Sequence, residues 1–368
     1  MINYEGLIKH LRTVDDGPFA LVSHQASAAA GMLSTHFPDR LARLFSPEHG
    51  WFGAVAPGER AEDVPEHPYW GVPVCSLYGD KRKPSPELLS GLGRIVVDLQ
   101  DVGVRCYTYL ATLKLVLEAA AENDLPVTVV DRPIPLGGIL DGPRRELEFS
   151  SFVAPIDVPF CHGMTPGECA RWIVREEKLD LDLTVMRMKN WSHSSRGPWP
   201  NFMPPSPGIR SWDSAAMYPA TVFTEAFPAV DCDRSGPLAF RVVSAPWMSI
   251  SDTIGDLAAA LPACGLGARP YRYLRDGRAC DGVLLEIDNL EAFYPVTAGV
   301  VILAALYSRY PSEVMEGARP EWFAKLMGSQ SVLDAIREDA LSDLFRGWID
   351  AQDAYLPGRV DLYSGMCA

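Results

Sequence analysis

Four short stretches carry side chains suited to acid–base chemistry on a small polar substrate. In Ser46-Pro47-Glu48-His49-Gly50 a carboxylate stands beside a histidine, on a turn fixed by Pro47 and Gly50. A carboxyl group so placed suits general acid catalysis when its surroundings tune its proton affinity. An exposed turn glutamate is the plainer alternative, and a structural hydrogen bond is the plainer role for His49. The stretch Asp98-Leu99-Gln100-Asp101-Val102-Gly103-Val104-Arg105-Cys106-Tyr107 follows the same logic. Arg105 offers a planar fork that can clamp a carboxylate, while Gln100 and Tyr107 can hydrogen-bond a polar ring substituent. An internal Asp101–Arg105 pair with Tyr107 in the core competes with this, and both hold if Asp101 orients Arg105. Asp131-Arg132-Pro133 repeats the theme, with the same two readings. His162-Gly163-Met164 precedes a helix start, whose free N–H groups favour an anion or a sugar oxygen; a structural histidine is the alternative.

These stretches lie where a parallel sheet would present them. Apolar runs at 19–22, 41–45, 72–77, 94–99 and 127–130 each end in polar residues. They lack polar alternation, as strands buried on both faces do. Residues 109–123 place Leu110, Leu113, Leu117 and Ala120 on one helical face, so the fourth and fifth runs form a strand–helix–strand unit with a right-handed crossover. Thr165-Pro166-Gly167-Glu168 is a capping box with proline at the first helical position, and a further strand is expected at 183–186. The proline-rich residues 190–228 read as a long irregular excursion of functional or interdomain kind. Beyond it, strands at 238–243 and 282–287 and helices at 254–261, 296–307, 331–340 and 341–354 make a second, mixed unit. The fold class is therefore α/β with two domains, 1–236 and 237–368, and ligands belong in the crevice beyond the strands' carboxyl ends.

Composition narrows the function. The 368 residues suit two cores, and a formal charge of −14 repels nucleic acid and acidic membranes. The longest apolar stretch, 296–306, is too short to span a bilayer. Met1-Ile2-Asn3-Tyr4-Glu5 shows neither the cationic nor the apolar region of a signal peptide, so a cytoplasmic location is expected. The eight cysteines are scattered without a C-x-x-C pair and read as buried free thiols. The absence of G-x-G-x-x-G, of a P-loop and of G-x-S-x-G lowers dinucleotide, nucleotide-hydrolysis and serine-hydrolase readings. No cofactor is expected.

The same segments resemble the exo-β-N-acetylmuramidases of the NamZ type. The matching pieces are Leu44-Phe45-Ser46-Pro47-Glu48-His49-Gly50, Asp98-Leu99-Gln100-Asp101-Val102-Gly103 with Arg105 and Tyr107-Thr108-Tyr109, Asp131-Arg132-Pro133, His162-Gly163-Met164-Thr165, and Pro204-Pro205-Ser206-Pro207. The resemblance implies a Rossmann-like N-terminal domain, a smaller C-terminal domain and a cleft between them. It also implies release of N-acetylmuramic acid from the non-reducing end of peptidoglycan fragments without metal or nucleotide, with a sugar or muropeptide as the partner. Carried over by motif, Glu48 leads as catalytic carboxylate and proton donor, with Asp101 beside it. His49, Gln100, Arg105, Tyr107, Asp131, Arg132, His162 and Glu225 line the sugar site.

One stretch departs from the family pattern F-E-G-T-N-x-S-E-G-R-G-T. Here residues 224–236 read T-E-A-F-P-A-V-D-C-D-R-S-G, keeping Glu225 and Arg234 but losing the small and amide residues between them. A homologue that binds an amino sugar without cleaving it is therefore the alternative to a cell-wall-recycling hydrolase. A third reading is a metal-dependent hydrolase built on His24, His49 and strand-end carboxylates.

Overall fold

A computed structural model describes residues 1–14, 17–275 and 277–364; the eighth cysteine, Cys367, lies outside them. Strands β1 (Phe19–Ser23), β2 (Leu41–Ser46), β3 (Val74–Ser76), β4 (Arg94–Asp98) and β5 (Val127–Val130) follow in chain order. β6 (Leu140–Arg144) and β7 (Pro159–His162) form a separate antiparallel pair, and β8 (Leu183–Met186) returns to the main sheet. The order β3-β2-β1-β4-β5-β8, parallel throughout, is that of a Rossmann-like sheet. Every residue of β1 and β4 is buried, as their uninterrupted apolar runs require.

Alternate strand residues feed two cores. Phe19, Leu21, Val96 and Val130 meet Leu7, Leu11 and Leu33 from the helices Tyr4–Thr13 and Ala29–His36. Ala20, Val22, Val97 and Val129 meet Leu113, Val116 and Ile173 from the helices Thr108–Glu122 and Pro166–Glu176. The capping box at Thr165 and Glu168 forms as the sequence predicts.

The smaller unit has a three-stranded antiparallel sheet, β9 (Val242–Ser244), β10 (Leu266–Arg275) and β11 (Arg278–Ile287), in the order β10-β11-β9. The helix Pro295–Arg309 is tied to the first half by Asp141 on β6. Its carboxylate accepts from Val296 N (2.7 Å), Thr297 N (3.0 Å) and Thr297 Oγ1 (2.7 Å). Three expectations need correction. The excursion at 190–228 contains a helix, Trp212–Thr221, with Pro219 inside it. The strand expected at 238–243 starts at Val242, and β10, whose run of arginines and tyrosines breaks apolar periodicity, was not expected at all. Among the described residues no helix is long and apolar enough to cross a membrane. The seven described cysteines are free; Cys75 and Cys280 are half-buried and the other five buried.

Candidate active site

A cleft of about 530 Å³ is not centred on the β1–β4 switch point but lies to the β2–β3 side of it. One wall comes from the turn after β2 (Glu48, His49, Gly58), the end of β3 (Tyr78) and the start of the helix Thr108–Glu122 (Tyr107, Thr108). The other comes from Tyr218, Glu225, Arg234 and Phe240, and from the helix Pro320–Met327 through Trp322 and Lys325.

Glu48 is held by both oxygens. Gly58 N–H donates to Oε1 at 2.8 Å, and Thr108 Oγ1 lies 2.7 Å from Oε2. The amide can only donate, whereas the hydroxyl can donate or accept, so any proton on Glu48 sits on Oε2. His49 follows with φ 73° and Gly50 with φ 72°, two left-handed residues that fold the turn back on itself. His49 Nδ1 lies 2.8 Å from the Val55 carbonyl, which can only accept. Nδ1 therefore carries a hydrogen, which it donates to that carbonyl. Burial and the Glu48 charge push the Tyr78 phenol up to about 12.

Glu225 lines the same cleft, close enough to Glu48 for the two charges to act on one another. Burial raises its pKa above the ordinary glutamate value; the Glu48 charge adds to the rise, and Arg234 and Arg319 oppose it. Arg234 Nη1 stands 3.7 Å from Glu225 Oε1, beyond hydrogen-bonding distance. The pair offers what acid–base catalysis on a glycoside needs: two carboxyl groups on one cleft in unlike environments.

The motifs carrying this turn, this helix start and Glu225 belong to a recognisable family. A model described as exo-β-N-acetylmuramidase NamZ, N-terminal, matches residues 19–213, and its C-terminal counterpart matches residues 216–362. The chain belongs to the NamZ family. The peptidoglycan β-N-acetylmuramidase NamZ of Bacillus subtilis (strain 168) is 35% identical over 305 residues, covering 79% of this chain and 72% of that protein. A crystal structure of a DUF1343 family protein from Bacteroides fragilis superposes with a TM-score of 0.87 at 25% identity, over 99% of this chain and 98% of that one. A second from the same organism gives 0.76 at 24% identity over 98% and 97%, a likeness of fold.

Of the residues expected to line a sugar site in this NamZ homologue, Glu48, His49, Tyr107 and Glu225 line the cleft. The other six lie outside its lining, each for a visible reason. Arg132 is buried at the switch point in an ion pair with Asp98 (Nε–Oδ1 2.7 Å), with bonds to Ala26 O, Tyr4 Oη and Gln100 Oε1. Gln100 in turn donates to the carbonyls of Asp101 and Pro133. These side chains fill the crevice where a doubly wound sheet usually holds its ligand. Asp101 turns into its own loop, accepting from Gly103 N at 2.6 Å, and burial pushes it up to about 7. Asp131 accepts from Thr165 Oγ1 and Gly167 N, both at 2.8 Å, and from the Tyr363 hydroxyl; burial pushes it up to about 6. His162 is buried, its Nδ1 accepting from Met164 N at 3.2 Å, and desolvation holds it at about 3.

Arg105 is the sharpest correction. Fully buried, its guanidinium donates to the carbonyls of Pro143 (2.9 Å), Val158 (2.5 Å) and Met327. It thereby ties β6, the approach to β7 and the helix Pro320–Met327 together. Arg105→Met would leave buried carbonyls without donors, at roughly 1–3 kcal/mol for each one unsatisfied. Chemical denaturation should show a stability loss of about 3 kcal/mol or more, with sugar preference intact in the protein that folds. Unchanged stability with lost sugar preference would return Arg105 to the site.

Sequence reasoning did not single out Thr108 and Gly58, which orient Glu48, or Trp322 and Lys325 on the far wall. Thr108 stood inside a motif that was read for its strand end; the others had no local signal. No trio of ligating atoms among the described residues gathers at His24 and His49, as the metal reading would need. Among the described residues the one trio of ligating atoms within 4.8 Å is Glu168, His193 and Asp361, on the far side of the helix cap. His24 instead accepts from Gln100 N at 2.9 Å, buried at the switch point.

Proposed function

We propose that this chain is an exo-acting glycosidase that removes N-acetylmuramic acid from the non-reducing end of peptidoglycan fragments. The observation that carries the reading is the pairing of Glu48 with Glu225 across one cleft in a chain of the NamZ family. A volume of about 530 Å³ is in the range of small-molecule sites. It suits one or two sugar rings better than a glycan strand.

The environments divide the labour. Glu225, favoured in its neutral form by burial and by the facing carboxylate, donates the proton to the departing glycosidic oxygen. Glu48, fixed by Gly58 and Thr108, supplies the negative charge opposite the oxocarbenium-like centre; water then adds to the anomeric carbon and its proton returns to the Glu225 carboxylate. This moves the proton from Glu48, where the sequence placed it, to the opposite wall. Within the same proposal, 1–236 is the domain carrying Glu48 and 237–368 the domain that closes the cleft.

Incubation with chromogenic β-N-acetylmuramide and β-N-acetylglucosaminide tests the reading. Rapid release from the first and slow release from the second is expected. No turnover of either, with the muramic sugar still bound, would leave a binding protein that has lost catalysis. That alternative draws on the altered residues 226–233, although the charged residues flanking them, Glu225 and Arg234, both still face the cleft.

A further inference from the structure

We propose that Arg234 recognises a carboxylate on the substrate, the lactyl group by which N-acetylmuramic acid differs from N-acetylglucosamine. The inference rests on the glycosidase reading above and names the residue that sets its sugar preference.

Four cationic side chains face the cleft: Arg82, Arg234, Arg319 and Lys325. Arg82 is exposed and lies over Phe152, 4.4 Å from the ring centre. Lys325 is an exposed point charge, with no fork to match a carboxylate. Arg319 is tied down, its Nη2 donating to the Glu225 carbonyl. Arg234 differs from all three. Its side chain is 33% exposed, yet its Nε is buried without a hydrogen-bond partner. Its Nη2 reaches Thr224 Oγ1 only at 3.4 Å, and its Nη1 stops 3.7 Å from Glu225. Phe240 lies 5.7 Å beneath the guanidinium. The Cys232 thiol, a weak acceptor, takes a side-chain hydrogen bond from the guanidinium, and Tyr218 completes its surroundings. This is a planar fork, supported on an aromatic face, whose donors are poorly satisfied by the protein. A buried donor without a partner is costly, and a bidentate carboxylate is the ligand that satisfies it best.

Position strengthens the argument. Arg234 lies in the wall shared by the main cleft and a second pocket of about 390 Å³ formed by residues 224–235 with Arg319. A carboxylate at that wall sits beside Glu225, the proposed proton donor, as a substituent on the reacting ring must. The clamp needs the carboxylate free, so masking it as an ester or amide removes the interaction.

Calorimetry on the full chain, with N-acetylmuramic acid, its methyl ester and N-acetylglucosamine as probes, tests this directly. The unmutated protein should bind the free acid about tenfold to a hundredfold more tightly than either other sugar. Arg234→Ala should erase that ratio, Arg234→Lys should restore part of it, and Lys325→Ala should preserve it. The ratio cancels any effect on Glu225 that the sugars share. Equal binding of acid and ester by the unmutated protein, or an undiminished ratio in Arg234→Ala, would overturn the clamp. Preference for the acid without turnover of any glycoside would instead overturn hydrolysis and leave the clamp standing.

Discussion

Glu48→Gln is expected to bind the muramic sugar nearly normally and to turn it over at least ~100-fold more slowly, in line with electrostatic terms of ~10²–10³ in kcat. The substitution is gentle on the fold. The side-chain carbonyl still accepts from Gly58 N–H, and the new amide can donate to Thr108 Oγ1, which accepts as readily as it donates. What disappears is the negative charge facing the sugar ring. Because that charge acts on the ring and not on the leaving group, the loss should be as large with a nitrophenyl glycoside as with a natural disaccharide. Turnover like that of the unmutated protein would remove Glu48 from the mechanism. A loss confined to the natural substrate would instead make it the proton donor.

Glu225→Gln should show the opposite pattern. General acid catalysis is a ~10²–10⁴-fold term when the leaving group is a poor one such as a sugar hydroxyl. A nitrophenolate departs without a proton, so the variant should retain far more activity on it. The pH dependence follows the same group. A donor works below its pKa, so kcat/KM should fall as pH rises through the pKa of Glu225. Burial and the Glu48 charge raise that pKa, while Arg234 and Arg319 lower it. Removing the Glu48 charge should therefore move the alkaline limb to lower pH, and Arg234→Ala should move it to higher pH. Equal losses on both leaving groups, or a limb that ignores Arg234, would take the proton away from Glu225.

The centre of the sheet was legible in the sequence because β1, β4 and β5 are buried on both faces and so carry near-continuous apolar runs. β5 and β8 fall on the expected residues, and the capping box at Thr165 fixes the next helix start. The site was legible only in part. A polar residue at a strand end looks the same whether it serves a ligand or the scaffold, and only the fold decides. Arg132 and Asp98 sit on neighbouring strands and neutralise one another at the switch point, which closes it to a ligand. Arg105 was read against Asp101, four residues away, whereas its real partners include the Met327 carbonyl, 222 positions along the chain. Trp322 and Lys325 gave no signal because the helix Pro320–Met327 looks like any other amphipathic helix until it is docked.

The docking of residues 355–363 has a consequence for how the protein is made. Tyr355 donates to the carbonyl of His162, Leu362 N–H to Glu168, and the Tyr363 hydroxyl lies against Asp131 at the end of β5. These contacts seal the first half of the molecule with residues made 193 to 232 positions later. Until they emerge, Asp131 lacks the Tyr363 hydroxyl and Glu168 lacks the Leu362 amide, two partners that no earlier part of the chain supplies. The nascent N-terminal half can build its sheet during synthesis, but its polar end closes only once residues 355–363 have been made.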